Sequence, residues 1–308
     1  MKLRQLQYIC EVARRGLNVS TVAEILHTAQ PGISTQVRLL EEELNVKIFE
    51  RNGKRLVGVT QPGKRIIEMA ERVLREIEDI RQVGGEFSQE DSGTFSIATT
   101  HTQTRYVLPK TIKAFKEVYP DVRLRIHQGD QVQVAEMVTT GVADIAITSE
   151  TGQLPHSIVT LPCFDWDFCV IAPVGHSILS ETNLTLEKIA EHPLITYDYA
   201  SAGRSVINKA FGDKGLATKM ALTAMDSDVI KTYVELGLGI GILAKMAYDA
   251  ERDTQLRSMD TGHLFEKSTT YIGIQKGKYL RSYMYAFIER FAPHLNREKV
   301  DIETNNYL

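Results

Sequence analysis

Five consecutive residues, Thr99-Thr100-His101-Thr102-Gln103, place three hydroxyls, an imidazole and an amide at the end of the apolar run TFSIATT. Ser149 closes a second such run, DIAITS, and Ser201-Ala202-Gly203-Arg204-Ser205 follows a third, LITY. A strand that ends in hydroxyls and leads into a helix presents donors and free backbone N–H groups. The helix dipole adds positive potential at the same place. The chemistry this predicts is capture of a small polar or anionic molecule by Thr100, Thr102, Gln103 and Ser149, with Ala202, Gly203 and Arg204 from the facing segment. Any one Thr or Ser here would also serve as a plain helix cap. The density of THTQT favours a ligand for the group.

A second set of residues suits a different partner. Ile33, Val37, Leu40 and Leu44 are spaced 4, 3 and 4, which puts them on one buried stripe of a helix. Pro31, Ser34, Thr35 and Arg38 then fall on the opposite side, with Gln30 at its edge. Such side chains hydrogen-bond base edges in a major groove, and Arg pairs with guanine. Ahead of this helix lies a short one over TVAEILH, which Asn18 or Ser20 caps, and Thr28 is the expected cap of the third. The run KIFERNGKRLVGVT reads as two short strands around Asn52-Gly53, an established hairpin signal. Arg51, Lys54 and Arg55 sit at its tip and flank, suited to phosphates. A solvated helical hairpin would show the same polar face. The basic hairpin directly after it favours a winged helix-turn-helix on double-stranded DNA.

No catalytic constellation accompanies these sets. The sequence has no GxSxG, no P-loop and no HExxH or HxxxH. GLGIGI follows a helix and enters a strand, the wrong order for a dinucleotide fold. Three cysteines without CxxC spacing argue against a disulfide framework and a cysteine zinc site. No enzyme activity, cofactor or metal is expected. A solute-binding protein built on the same body would need export. The N-terminus MKLRQLQYICEVARR lacks the apolar core of a signal peptide, so a cytoplasmic location is expected.

These residues need elements to position them. Leu3, Leu6, Ile9, Val12 and Ala13 mark a first helix. From Lys64 to about Val83 no glycine or proline occurs, and Ile66, Ala70, Val73, Ile77 and Ile80 form a seam of about two heptads. That predicts a dimerising linker helix, the alternative being a helix packed on its own domain. Gly84-Gly85 and SQEDSG predict its end and a flexible junction. Beyond it, strands alternate with helices, which implies two α/β lobes with parallel sheets. The 308 residues thus divide into a head over 1–60, a linker over 61–87 and a body over 88–308. The net charge of −3 is uneven. The head holds nine Lys/Arg against six Asp/Glu, so the body is acidic. No apolar run approaches the roughly 20 residues of a membrane helix.

The segments VAEILHTAQPGISTQVRLLEEELNVKIFER and VTQPGK resemble the LysR-type transcriptional regulators over the whole chain. IATTHTQTRYVLP, DSDVIKTYVELGLGIG and LRSYMYAFIERFAPHL look like that family's sulfur-assimilation branch. The resemblance implies a winged helix-turn-helix, a linker helix and an effector domain similar to periplasmic solute-binding proteins. It also implies a homotetrameric activator of sulfur-acquisition genes that meets RNA polymerase. The effector it implies is an acetylserine, sulfate or thiosulfate, with regulation of sulfonate-sulfur use as the neighbouring possibility. The branch's anion-site positions match at Thr100, Thr102, Gln103 and Ser149. Ala202 and Met225 stand where the branch carries threonines, so each deletes a hydroxyl.

Overall fold

In the computed structural model, which describes residues 1–53, 55–87, 92–149, 154–198 and 202–304, the chain divides into two compact units, Met1–Ser88 and Gln89–Leu308.

The first unit opens with α1 (Leu3–Arg14), α2 (Val19–Ile25) and α3 (Gln30–Glu43). Asn18 caps α2 by accepting from the Thr21 N–H at 3.2 Å. Thr28 does not cap α3. The N-cap is Ala29, without a side-chain bond, and Pro31 fills the first turn, where a missing N–H costs nothing. Ile33, Val37 and Leu40 are buried as their spacing requires. Leu44 is not, because the helix ends at Glu43 and its C-cap residue turns outward.

Strands β1 (Phe49–Asn52) and β2 (Arg55–Val59) pair antiparallel, and Gly53 takes the positive φ of 61° that the tight turn needs. Thr60 caps α4 (Gln61–Phe87), its Oγ1 accepting from the Gly63 N–H at 2.9 Å. A Cβ at Gly63 would stand 2.1 Å from the Ile48 carbonyl oxygen, so only glycine permits this approach. Helix α4 runs through Gly84-Gly85 rather than stopping before them. The predicted junction at residues 88–91 lies outside the described residues.

The second unit holds two lobes. In one, the strand order is β4-β3-β5-β12-β6, from β3 (Gly93–Thr99), β4 (Val122–Gln128), β5 (Ile145–Thr148), β6 (Ile158–Trp166) and β12 (Ser268–Gln275). In the other it is β11-β7-β10-β8-β9, from β7 (Phe168–Pro173), β8 (Pro193–Tyr197), β9 (Lys219–Ala224), β10 (Ile240–Ala244) and β11 (Leu256–Asp260). The expectation of parallel sheets holds for three strands per lobe. In each sheet one strand runs against the other four, β12 in the first and β7 in the second, and it separates the outer strand, β6 or β11, from the three that pair in parallel. The reason is connectivity. The chain leaves the first lobe along β6, enters the second along β7, and returns from β11 to β12.

Each lobe has its own core. Phe95, Phe115 and Phe287 meet edge-on or tilted at 5.2–6.2 Å in the first, where α5 (Leu108–Val118) and α10 (Ser282–Phe291) cover the sheet. Phe168, Ile171, Ile195 and Ile242 anchor the second beneath α8 (Ala202–Asp213) and α9 (Ser227–Glu235). The same topology aims all six parallel strands at one place.

Candidate functional site

The outer face of α3 is assembled as its spacing predicts. Gln30, Pro31, Thr35 and Arg38 are exposed, and Ser34 is half-buried. Arg38 has Glu42 at 3.7 Å, a solvent-exposed contact of little energy that leaves the guanidinium able to reach outward. Ser20 on α2 and Thr28 in the turn are exposed as well.

The hairpin's cations are placed differently from one another. Arg55 is exposed, whereas the Arg51 guanidinium donates to Glu41 Oε2 at 3.2 Å. Glu41 is 2% exposed and also accepts from the backbone N–H groups of Ile48 at 2.9 Å and Phe49 at 3.1 Å. One buried carboxylate thus ties α3 to β1 and sets the hairpin beside the helix. A sequence reading assigns Arg51 to phosphate; its partner here is Glu41. Glu41 itself carries no signal in a Glu41-Glu42-Glu43 run. Lys54 lies outside the described residues.

On α4, Ile67, Ala70 and Leu74 pack into the head's core. Val73 is 42% exposed and Ile80 is 69% exposed. The expected seam therefore splits, with Ala70 used inside the unit and Val73 and Ile80 left on the surface.

In the second unit, a cavity of about 360 Å³ opens between the lobes, at the carboxyl ends of the parallel strands. Thr100 follows β3, Gln128 to Asp130 follow β4 and Ser149 follows β5. From the other lobe come Tyr197 and Asp198 at the end of β8, Met225 and Asp226 after β9, and Ala244 at the end of β10. Thr102, Gln103 and Gly203 also line it. A Cβ at Gly203 would meet Phe168 and Tyr197 at 3.0 Å, so the helix start packs at glycine distance. Arg204 is not in the walls. It is buried, with Nη1 3.5 Å from the Tyr197 carbonyl oxygen and from Met220 Sδ. Ser201 and the side chain of Ala202 lie outside the described residues.

The chain after β3 enters helix at His101 and makes a π-helical turn over Gln103–Val107 before α5. Gln103 is 1% exposed, and its Nε2 donates to Ser149 Oγ at 3.1 Å and Thr270 Oγ1 at 3.0 Å. Opposite, Ser227 Oγ lies 3.4 Å from Thr102 Oγ1 and 2.8 Å from the Tyr197 hydroxyl, which accepts from the Ala244 N–H at 3.0 Å. Burial pushes the Tyr197 phenol up to about 12, so it stays a neutral partner.

Buried polar atoms are normally hydrogen-bonded. Four residues that line this cavity carry one with no protein partner: His101 Nδ1, Gln103 Oε1, Gln131 Nε2 and Trp166 Nε1. Acceptors and donors both occur among them.

Beside the cavity, the Tyr106 hydroxyl donates to Asp228 Oδ1 at 2.6 Å and Arg105 Nε to Oδ2 at 2.8 Å, both across the lobes. Burial and the Asp228 bond raise the Tyr106 phenol. His101, Asp226 and Asp228 hold ligand atoms within 4.8 Å of one another. With Asp228 occupied by Arg105 and Tyr106, this cluster fastens the lobes together. Sequence reasoning missed Tyr106 and Asp228, because 122 residues separate the partners.

Among the described residues no helix is long and apolar enough to cross a membrane. The family model for bacterial regulatory helix-turn-helix proteins of the lysR family matches residues 3–64, and that for the LysR substrate binding domain matches residues 88–296. The chain is 49% identical to the HTH-type transcriptional regulator SsuR of Burkholderia cenocepacia, covering 97% of each chain. It is 45% identical to the HTH-type transcriptional regulator CysB of Haemophilus influenzae, over 98% of this chain and 93% of that one. The crystal structure of the cofactor-binding domain of the Cbl transcriptional regulator superposes with a TM-score of 0.67 at 43% identity, covering 69% of this chain and 93% of that domain.

Proposed function

The chain belongs to the LysR family of bacterial regulatory helix-turn-helix proteins, and from that premise we propose that it controls sulfur-acquisition genes in response to a small polar metabolite held between the lobes of its body. The observation that carries this reading is the cavity, four of whose lining residues each carry a buried polar atom without a protein partner. The hydroxyls of Thr100, Thr102 and Ser149 receive the oxyanion of the guest, and the Gln103 amide, whose N–H groups go to Ser149 and Thr270, holds Ser149 in place. Similarity to CysB and SsuR supports the link to sulfur, and an acetylserine, sulfate and thiosulfate are the candidate effectors.

The working division is a DNA-binding head over 1–60, a dimerising helix over 61–87 and an effector body over 88–308. The head reads operator DNA with Gln30, Pro31, Ser34, Thr35 and Arg38, and Ser20, Thr28, Lys54 and Arg55 contact its backbone. Val73 and Ile80 of α4 meet a second copy, and dimers pair into tetramers that engage RNA polymerase in the cytoplasm. Guest binding acts through its differential contacts with two arrangements of the lobes.

A second reading, control of organosulfonate-sulfur genes, is favoured by Met225. It lines the cavity with a thioether where the branch carries a hydroxyl, which suits an alkyl chain. A thermal-shift screen with acetylserines, sulfate, thiosulfate, adenylyl sulfate and sulfonates tests both. A guest that stabilises the full chain and changes its affinity for operator DNA supports the proposal. Stabilisation by none of them contradicts it.

A further inference from the structure

The walls of the inter-lobe cavity carry an unbalanced charge. Asp130, Asp198 and Asp226 line it, and among the described residues no Lys or Arg does. Residues 150–153 and 199–201 contain no Lys or Arg in the sequence either. Two cations outside the lining, Arg105 and Lys231, are engaged elsewhere. Arg105 Nε binds Asp228 Oδ2 at 2.8 Å, and Lys231 Nζ binds Asp253 Oδ1 at 3.0 Å.

The helix starts around the cavity are unequal too. Asp130 caps α6 (Gln131–Thr139), accepting from the Gln133 N–H at 2.8 Å. Asp226 caps α9, accepting from the Val229 N–H at 2.9 Å. Two of the positive helix ends are therefore already met by fixed carboxylates. The helix after β3 begins instead among neutral hydroxyls, Thr100 and Thr102, and remains open to an oxyanion.

A doubly charged anion alone would meet the carboxylates of Asp130, Asp198 and Asp226 in a space with no Lys or Arg among its described lining residues, an arrangement electrostatics disfavours. Two buried side chains point to what is missing. Gln103, 1% exposed, has an acceptor without a partner, and Gln131, 5% exposed, has a donor without one. A guest that satisfies both brings acceptor oxygens and N–H donors together.

We infer that the effector is a small zwitterion, whose oxyanion is received at Thr100 and Thr102 and whose protonated amine is received by the carboxylates of Asp130, Asp198 and Asp226. This rests on the cavity reading given above and narrows it. It favours amino acid derivatives with a free amine and aminosulfonates over inorganic sulfate and over acids whose amine is blocked.

Matched probes test it by calorimetry on the full chain: taurine against ethanesulfonate, and β-alanine against propionate. Each pair shares its anion and differs by one ammonium group. The amine-bearing member should bind at least about tenfold more tightly. Asp226→Asn keeps the helix cap, since Asn caps as well as Asp, and removes the charge. In that variant the preference should shrink by about tenfold, through loss of affinity for the amine-bearing probe alone. Equal affinities within both pairs, or tighter binding of the amine-free member, would overturn the zwitterion while leaving the cavity as an anion site. Binding of either member that is unchanged by Thr100→Ala, or no binding by any of the four probes, would overturn the zwitterion together with the cavity reading.

Discussion

The Tyr106 hydroxyl donates to the Asp228 carboxylate at 2.6 Å, joining the π-helical turn of one lobe to α9 of the other. Arg105 approaches the same carboxylate from the solvent side, and Lys231 lies 5.1 Å from the Tyr106 ring centre. The latch stands next to the cavity, so it holds the lobes at the separation a guest experiences. Tyr106→Phe removes one hydrogen bond to a charged acceptor that is partly exposed. The expected cost is about 1–2 kcal/mol in urea unfolding of the effector body. Guest affinity should change in the same variant, because a fastening between the two lobes beside the cavity is lost. An unaltered unfolding midpoint and unaltered affinity would show that the latch carries no energy.

The polar face of α3 should carry operator recognition. Ser34→Arg places a bulky side chain on a half-buried position away from the Ile33–Val37–Leu40 stripe. It should abolish operator binding in a gel shift and leave the circular dichroism unchanged. Arg38→Ala should cost about 1–3 kcal/mol and relax the base preference at one position. Operator affinity that survives Ser34→Arg would remove α3 from the interface.

Glu41 should matter for a different reason. Its carboxylate accepts from two backbone N–H groups and from Arg51 while only 2% exposed. Glu41→Ala leaves the N–H groups of Ile48 and Phe49 buried without partners and should destabilise the head by about 3 kcal/mol or more. The hairpin would then lose its position, and DNA affinity would fall although Glu41 touches no DNA. Thermal unfolding of the variant, read beside its gel shift, checks both effects.

Much of this arrangement was legible in residue spacing. The 4-3-4 stripe of α3 predicts Ile33, Val37 and Leu40 as core, and strand ends rich in hydroxyls predict the cavity's Thr100, Thr102, Gln103 and Ser149. What stayed hidden depends on distant partners. Glu41 looks like one of three surface glutamates until β1 folds over it. Tyr106 and Asp228 are ordinary residues until two lobes meet. Arg204 sits beside Gly203 in the chain, but the helix turns it inward to Tyr197 and Met220. The antiparallel strands were obscured for a related reason. The reversed direction of β7 and β12 is a property of the two-lobed path, because the chain enters the second lobe along one and returns to the first along the other.

Val73 and Ile80 are apolar and exposed on the same helix whose Ile67 and Ala70 serve the head's core. Val73→Glu with Ile80→Glu would place like charges at a seam between copies, where burial without partners is costly. Sedimentation should show a smaller assembly or dissociation shifted to higher concentration. Because neither residue belongs to the core, the monomer should keep its fold. Sedimentation identical to that of the unsubstituted chain would mean that another surface joins the copies.

The most direct test of the effector cavity is calorimetry on Thr100→Ala with whichever guest the thermal-shift screen identifies. Thr100 lines the cavity at the end of β3, where the helix start offers its N–H groups. Loss of one hydrogen bond to a charged guest costs about 1.5–3 kcal/mol, so affinity should fall about tenfold to a hundredfold. The variant should still bind operator DNA, since Thr100 lies outside the compact unit Met1–Ser88 that holds the head, and it should no longer respond to the guest. A companion carrying Ala202→Thr and Met225→Thr should bind an acetylserine more tightly than the unsubstituted chain does. Guest affinity and response in Thr100→Ala equal to those of the unsubstituted chain would contradict the assignment of this cavity as the effector site.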